Sequence, residues 1–164
     1  MQTMTNAPTA TDVDHTLVYR FEGELAEMYP TGVFPEGIRF HNGFEARVVA
    51  GPFEGGRIFG VDQFLLRPDG VGVIVAPEVI EKDDVRVEGE VRGYVLPPDG
   101  MQMPPLDVLA EPGFEFPDVD FRVTAAVTFR TADPRYDHLN RAVGRIQGTV
   151  NLATRRLVIE ARAE

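Results

Sequence analysis

At 164 residues, 43% hydrophobic and 26% charged, the chain has the size and composition of one domain that buries a core without cross-links. Its formal net charge of −10 would repel a phosphate backbone, so nucleic acid is not an expected partner. The sequence contains no Cys and no Ser, which removes thiolate and serine nucleophiles and any zinc site built on sulfur.

Residues 1–11 are small, polar and without periodicity, and a disordered tail is expected there, followed by a single domain over 12–164. They lack the basic and apolar segments of a signal peptide, and no apolar run is long enough to span a bilayer; a cytoplasmic protein without a membrane partner is the expectation. From Thr16, TLVYRFEGEL alternates Leu17, Tyr19 and Phe21 on one face with Val18, Arg20, Glu22 and Glu24 on the other, the period of a half-buried strand, with a possible helical turn at Glu22 to Met28. Met28 to Gly32 interrupts the pattern. Gly37 to His41 then leads into a strand from Glu45 to Ala50, a glycine turn at 51–56, and strands Arg57 to Leu66 and Val71 to Ala76 joined by Arg67-Pro68-Asp69-Gly70.

Beyond Pro77, Val85 to Val95 is the most regular strand, with Val85, Val87, Gly89, Val91, Gly93 and Val95 on one face. Pro97 to Asp118 carries six prolines yet many apolar residues, which predicts a packed loop, either a lid over a cavity or a cover for a sheet edge. Strands at Asp120 to Thr131, Ala142 to Asn151 and Arg156 to Ala163 end the chain, and the polar segment 133–141 between the first two has at most one helical turn. Seven or eight hairpin-linked strands with glycine at bends most simply close into an antiparallel barrel; a two-sheet sandwich has the same alternation.

Four motifs carry a resemblance: Gly37-Ile38-Arg39; Gly51-Pro52 with Gly55 and Gly56; Gly60-Val61-Asp62-Gln63 followed by Arg67 to Gly70; and Asp133-Pro134-Arg135-Tyr136 with Leu139-Asn140-Arg141. In this order the chain resembles domain-of-unknown-function family three-two-three-seven, small bacterial and fungal proteins, from about residue 15 onward. The resemblance implies a calycin-like barrel of about eight strands. The chain departs from the family pattern at Gln63 and His138, often Trp, and at Pro77 or Glu78, where the family often has Arg. If these positions line the mouth, apolar and cationic groups have been exchanged for polar, titratable ones.

The matched motifs make Asp62 and Arg39 the leading polar pair, either a structural ion pair or a base beside an oxygen-binding cation. Glu78 shares the parity of Ile74 and Ala76 and is expected to point inward, where its carboxyl would be raised in pKa. His138 and Tyr136 complete the candidate catalytic set, and Tyr94, His41 and Phe64 are candidates for substrate contact. The three histidines, His15, His41 and His138, share no His-x-His spacing, so no metal site is expected, and without a phosphate loop or dinucleotide fingerprint no cofactor is either. The expectation is a cofactor-independent acid–base enzyme of lyase, isomerase or cyclase type acting on a small hydrophobic, aromatic or polyketide-like molecule. The alternative is a lipocalin-like binding protein without turnover. The large apolar loop is compatible with a homodimer.

Overall fold

The computed structural model describes residues 16–164; the expected tail and His15 lie outside them. Nine strands form one antiparallel sheet: β1 (Thr16–Leu25), β2 (Tyr29–Phe34), β3 (Gly37–Ala50), β4 (Arg57–Leu66), β5 (Gly72–Lys82), β6 (Val85–Leu96), β7 (Asp120–Arg130), β8 (Val143–Asn151) and β9 (Arg156–Ala163). Neighbours follow the order β1-β9-β8-β7-β6-β5-β4-β3, and pairing of β1 with β3 closes an eight-stranded barrel. Closure leaves these eight strands no open edge. The ninth strand, β2, continues along the edge of β3 where β1 leaves it, pairing Tyr29 with His41 and Phe34 with Gly37.

Four boundaries differ from the sequence expectation. β3 is one 14-residue strand running through Asn42-Gly43, two poor strand formers that read as a break. β5 continues five residues past Pro77 to Lys82, because the proline ring faces outward and the register is the same on both sides of it. Glu22 to Leu25 is strand rather than a helical turn, and the run Met28 to Gly32 gives way to β2.

The barrel has two unlike ends. The lower one gathers Thr16, the turn 51–56, the β5–β6 turn and the segment between β7 and β8. The fully buried Tyr19, Val48, Ile58, Ile80, Val87, Val127 and Phe129 fill this half. Gly51, at φ 96°, reverses the chain where any Cβ would lie 2.7 Å from the Val18 carbonyl oxygen, and the reversal tucks Phe53 under the barrel at 1% exposure. Phe53 packs on Tyr136, with ring centroids 4.8 Å apart, and Leu139 is buried beside this plug.

Tyr136 and Leu139 belong to a 3-10 segment, Pro134–Arg141, longer than the single turn expected. Asp133 caps it by accepting from the Arg135 backbone N–H at 2.9 Å, and Asn140 bonds both the N–H and the carbonyl of Thr131. The Arg135 guanidinium bridges Asp133 and Asp84 and holds the Asp133 carboxyl below its usual range. The motif at 133–141 is therefore a seal for the lower end.

At the upper end the 97–119 loop crosses from β6 towards the β4–β5 turn, where Met103 lies against Gly70. It forms one helical turn, Leu106–Leu109, with Leu109 buried. Met101, Leu106, Phe114 and Phe116 pack on the core, as their apolar character requires.

Candidate functional site

Inside the upper half a cavity of ≈ 70 Å³ remains between the side chains. Its wall is apolar: Phe21 and Leu25 of β1, Phe44 of β3, Phe64 of β4, Ile74 of β5 and Val91 of β6 are among the side chains that line it. The space is about half the ~150 Å³ that admits benzene in a dry protein interior. Three polar residues interrupt the wall, all on consecutive strands: Asn42, Asp62 and Glu78.

Strand parity places them. Along β4, Ile58, Gly60, Asp62, Phe64 and Leu66 alternate inward, and along β5 Ile74, Ala76, Glu78 and Ile80 do so. Asn42 lies directly opposite Asp62 in the β3–β4 ladder. Glu78 faces Gly60, two positions from Asp62 along β4, so the carboxyls are diagonal neighbours on one wall, a placement that sets Cα atoms roughly 7–8 Å apart. The β4–β5 ladder lapses between the pairs Gly60–Glu78 and Gln63–Val75, around Pro77, which has no N–H to give. Gly89 of β6 makes room for Glu78: a Cβ there would lie 2.7 Å from Glu78 Oε1.

The two carboxyls are held differently. Glu78 is 5% exposed and accepts the Tyr19 hydroxyl at Oε1, 2.7 Å away. Burial pushes its pKa up to about 7 despite that bond, which favours the carboxylate; Tyr19 itself is driven well above its ordinary value by burial and by Glu78. Asp62 is pushed up to about 7 by burial alone, because no donor or cation meets it. Among the described residues, Asp62 Oδ1 and Asn42 Oδ1 are the only buried side-chain polar atoms without a hydrogen-bond partner. Two unpaired acceptors side by side in an apolar wall are costly unless protonation or a bound molecule supplies donors.

The structure separates the rest of the expected set from this cavity. Arg39 does not pair with Asp62: it stands opposite Leu65 with outward parity, bonds Glu36 at 2.9 Å and lies 5.8 Å from the centre of the Phe34 ring. His41 is two residues further along the same outer face. Tyr94 is 49% exposed on the outer face of β6, whose Arg92 and Glu90 form a surface ion pair. His138 and Tyr136 line a separate cleft of ≈ 130 Å³ at the lower end, beside Phe53 and Leu139, so they do not join Asp62. Of the positions where the chain departs from the family pattern, Gln63 and His138 face outward and only Glu78 faces the cavity.

Of the expected substrate contacts, Phe64 lines the cavity, whereas the 97–119 loop contributes no side chain to it. Asn42 and Tyr19 belong to the site although sequence reasoning gives them no role. The alternation Phe40-Asn42-Phe44 is the signal that places Asn42 inside, and the alternation of Tyr19 with Phe21 does the same for the phenol. No cluster of His, Asp and Glu suited to a metal ion occurs among the described residues, and no helix there is long and apolar enough to cross a membrane.

No family profile matches the chain, and no curated protein matches it in sequence. Solved structures do match. A β-barrel-like protein from Acinetobacter baumannii superposes with a TM-score of 0.70 at 21% identity, over 98% of this chain and 99% of that one. A protein of unknown function from Clostridium acetobutylicum gives 0.70 at 17% identity, over 93% and 99%. An enzyme from Penicillium herquei gives 0.56 at 19% identity, over 97% and 99%. At these identities the likeness establishes the fold: a small closed antiparallel β-barrel.

Proposed function

We propose that the upper cavity is the site of a cofactor-independent acid–base enzyme, and that the chain is a member of domain-of-unknown-function family three-two-three-seven. The observation that carries the enzymatic reading is the pair Asp62 and Glu78, two carboxyls on one apolar wall, each pushed by burial to about 7. A carboxyl titrating near the working pH is present in both forms and serves as base or acid. Asp62, with one oxygen unpaired, takes a proton from the bound molecule; Glu78 returns one at a neighbouring atom; Tyr19 orients Glu78. Removal and return at different atoms is an isomerisation, and the same pair serves a cyclisation or an elimination. A small organic molecule, or one end of a larger aromatic or polyketide-like one, is the size of ligand that ≈ 70 Å³ supports. The enzyme from Penicillium herquei lends the reading support by fold analogy alone.

Incubation in deuterium oxide with small enolisable ketones, aldehydes and amino ketones tests the proton transfer by itself, whatever the complete reaction is. Wild-type protein is expected to wash deuterium into the position next to the carbonyl, and Asp62→Asn to lower that rate about 100-fold. Exchange no faster than in buffer would sink the enzymatic reading. It would favour the second one, a binding protein without turnover, which draws support from the placement of Arg39, His41, Tyr94, Tyr136 and His138 away from the cavity.

A further inference from the structure

The two buried side-chain polar atoms without a partner among the described residues, Asn42 Oδ1 and Asp62 Oδ1, are both acceptors on residues that line the cavity. Asn42, 1% exposed, carries the one donor group of the lining, its amide N–H2, and the Tyr19 hydroxyl is spent on Glu78. No Lys, Arg or His lines the space. The charged and titratable groups that face it are Asp62 from β4 and Glu78 from β5, with Tyr19 of β1 behind Glu78; β3 adds only the amide of Asn42, and β6 to β9 add apolar side chains. Three aromatic rings, Phe21, Phe44 and Phe64, line the same space, the first two stacked with centroids 6.2 Å apart.

We propose that the cavity selects an organic cation, a protonated primary amine on a compact apolar stem, over neutral or anionic molecules of the same shape. This rests on the reading of the cavity as the ligand site and goes beyond it by naming the ligand's charge. An ammonium group brings three N–H donors and no acceptor, the complement of Asn42 Oδ1, Asp62 and Glu78. Its charge offsets the desolvation of the two carboxyls, which no cation lining the cavity does and the Tyr19 hydroxyl does only for Glu78, and the phenylalanine faces attract the same charge. A neutral alcohol supplies a single donor and brings an acceptor of its own. A carboxylate ligand meets two acids and no cation. The overall charge of −10 draws cations to the molecule in the first place.

Three small probes test this: ethylamine, ethanol and acetate, titrated into the full chain and followed by amide NMR shifts and calorimetry. The amine is expected to bind at least tenfold more tightly than the alcohol, acetate not to saturate, and the shifts to centre on Phe64, Ile74 and Asn42. Because the cation favours the ionised carboxyls, binding at pH 6 should release protons, read as a heat that changes with the ionisation enthalpy of the buffer. That measurement needs no variant. Asp62→Asn should weaken the amine tenfold or more; should that variant not fold, Glu78→Gln serves in its place.

Alcohol binding as tight as amine binding would overturn the selection while leaving the cavity as a ligand site. Amine binding unchanged in both variants, or without proton release, would place the cation on the acidic surface and overturn the proposal. No saturable shift at the cavity residues with any probe would overturn both it and the reading of the site.

Discussion

The lower and upper halves of this barrel are built from the same strands and differ in what fills them. Below, Tyr19, Ile58, Ile80, Val127 and Phe129 are fully buried and Phe53 closes the end, with a cleft of ≈ 130 Å³ left only outside it, between Phe53, Tyr136 and Leu139. Above, the same alternation delivers Asn42, Asp62 and Glu78 beside Gly60 and Gly89, and the interior stays open. The contrast teaches that a barrel of eight strands is hollow only where small or polar residues replace the branched and aromatic side chains that would otherwise interdigitate.

The largest way to break that contrast is to empty the filled half. Phe53→Ala should cost about 3–5 kcal/mol in denaturant unfolding, because a closely packed plug leaves a void. Phe64→Ala, at the rim of existing space, loses fewer contacts and should cost about 2–3 kcal/mol while enlarging the cavity. Equal costs would mean that the two halves are packed alike.

Next comes pH. Asp62 and Glu78 have pKa values raised in the folded chain, so the stability they confer is fully present below about pH 4, is lost as pH rises towards 7 and is level above it. At about 1.4 kcal/mol per pKa unit the loss is at most about 3–4 kcal/mol for each. Glu36, Glu81 and Asp133 act in the opposite sense: each is held low by arginine neighbours, and their contribution fades as acid protonates them. The comparison that isolates the interior pair is the thermal midpoint of wild type against Asp62→Asn/Glu78→Gln across pH 4 to 8. The double variant should gain on wild type as pH rises and hold that gain above 7.

Smaller effects sharpen the picture. Tyr19→Phe removes the bond that favours the Glu78 carboxylate, so Glu78 should titrate higher still, with a stability change of about 1 kcal/mol. Gly89→Ala drives a Cβ against Glu78 Oε1 and should disturb the same bond from the opposite side, visible as a shift of the Tyr19 ring resonances. Smallest of all, Arg39→Ala and Tyr94→Ala, on the outer face, should change stability by no more than about 0.5 kcal/mol and probe binding not at all.

Alternation makes most of the barrel legible from residue order alone. Val85 to Val95 keeps its inward face, and the parity of Glu78 with Ile74 and Ala76 puts a carboxyl inside despite the proline before it. The pairing of Arg39 with Asp62 fails because motif order carries no parity: Arg39 is three positions from Asn42, the residue opposite Asp62, and an odd offset turns a side chain to the other face. Asn42 is hidden because an Asn-Gly pair reads as a turn, while here β3 runs straight through it. β2 is illegible because Pro30 and Gly32 argue against a strand, and only the long β3 beside it supplies the partner. Tyr136 and His138 look functional by composition; they lie at the plug.

The most direct test of the account is a carbon-13 NMR titration of the Asp62 and Glu78 carboxyls, assigned with Asp62→Asn and Glu78→Gln, from pH 3 to 9. The account predicts two apparent pKa values near 7, with Glu36, Glu81 and Asp133 below their ordinary values. If both interior carboxyls titrate at the ordinary carboxylate value, about 4, the wall is wet, the interior holds no poised acid and base, and the distinction between the two halves of the barrel has no chemical consequence.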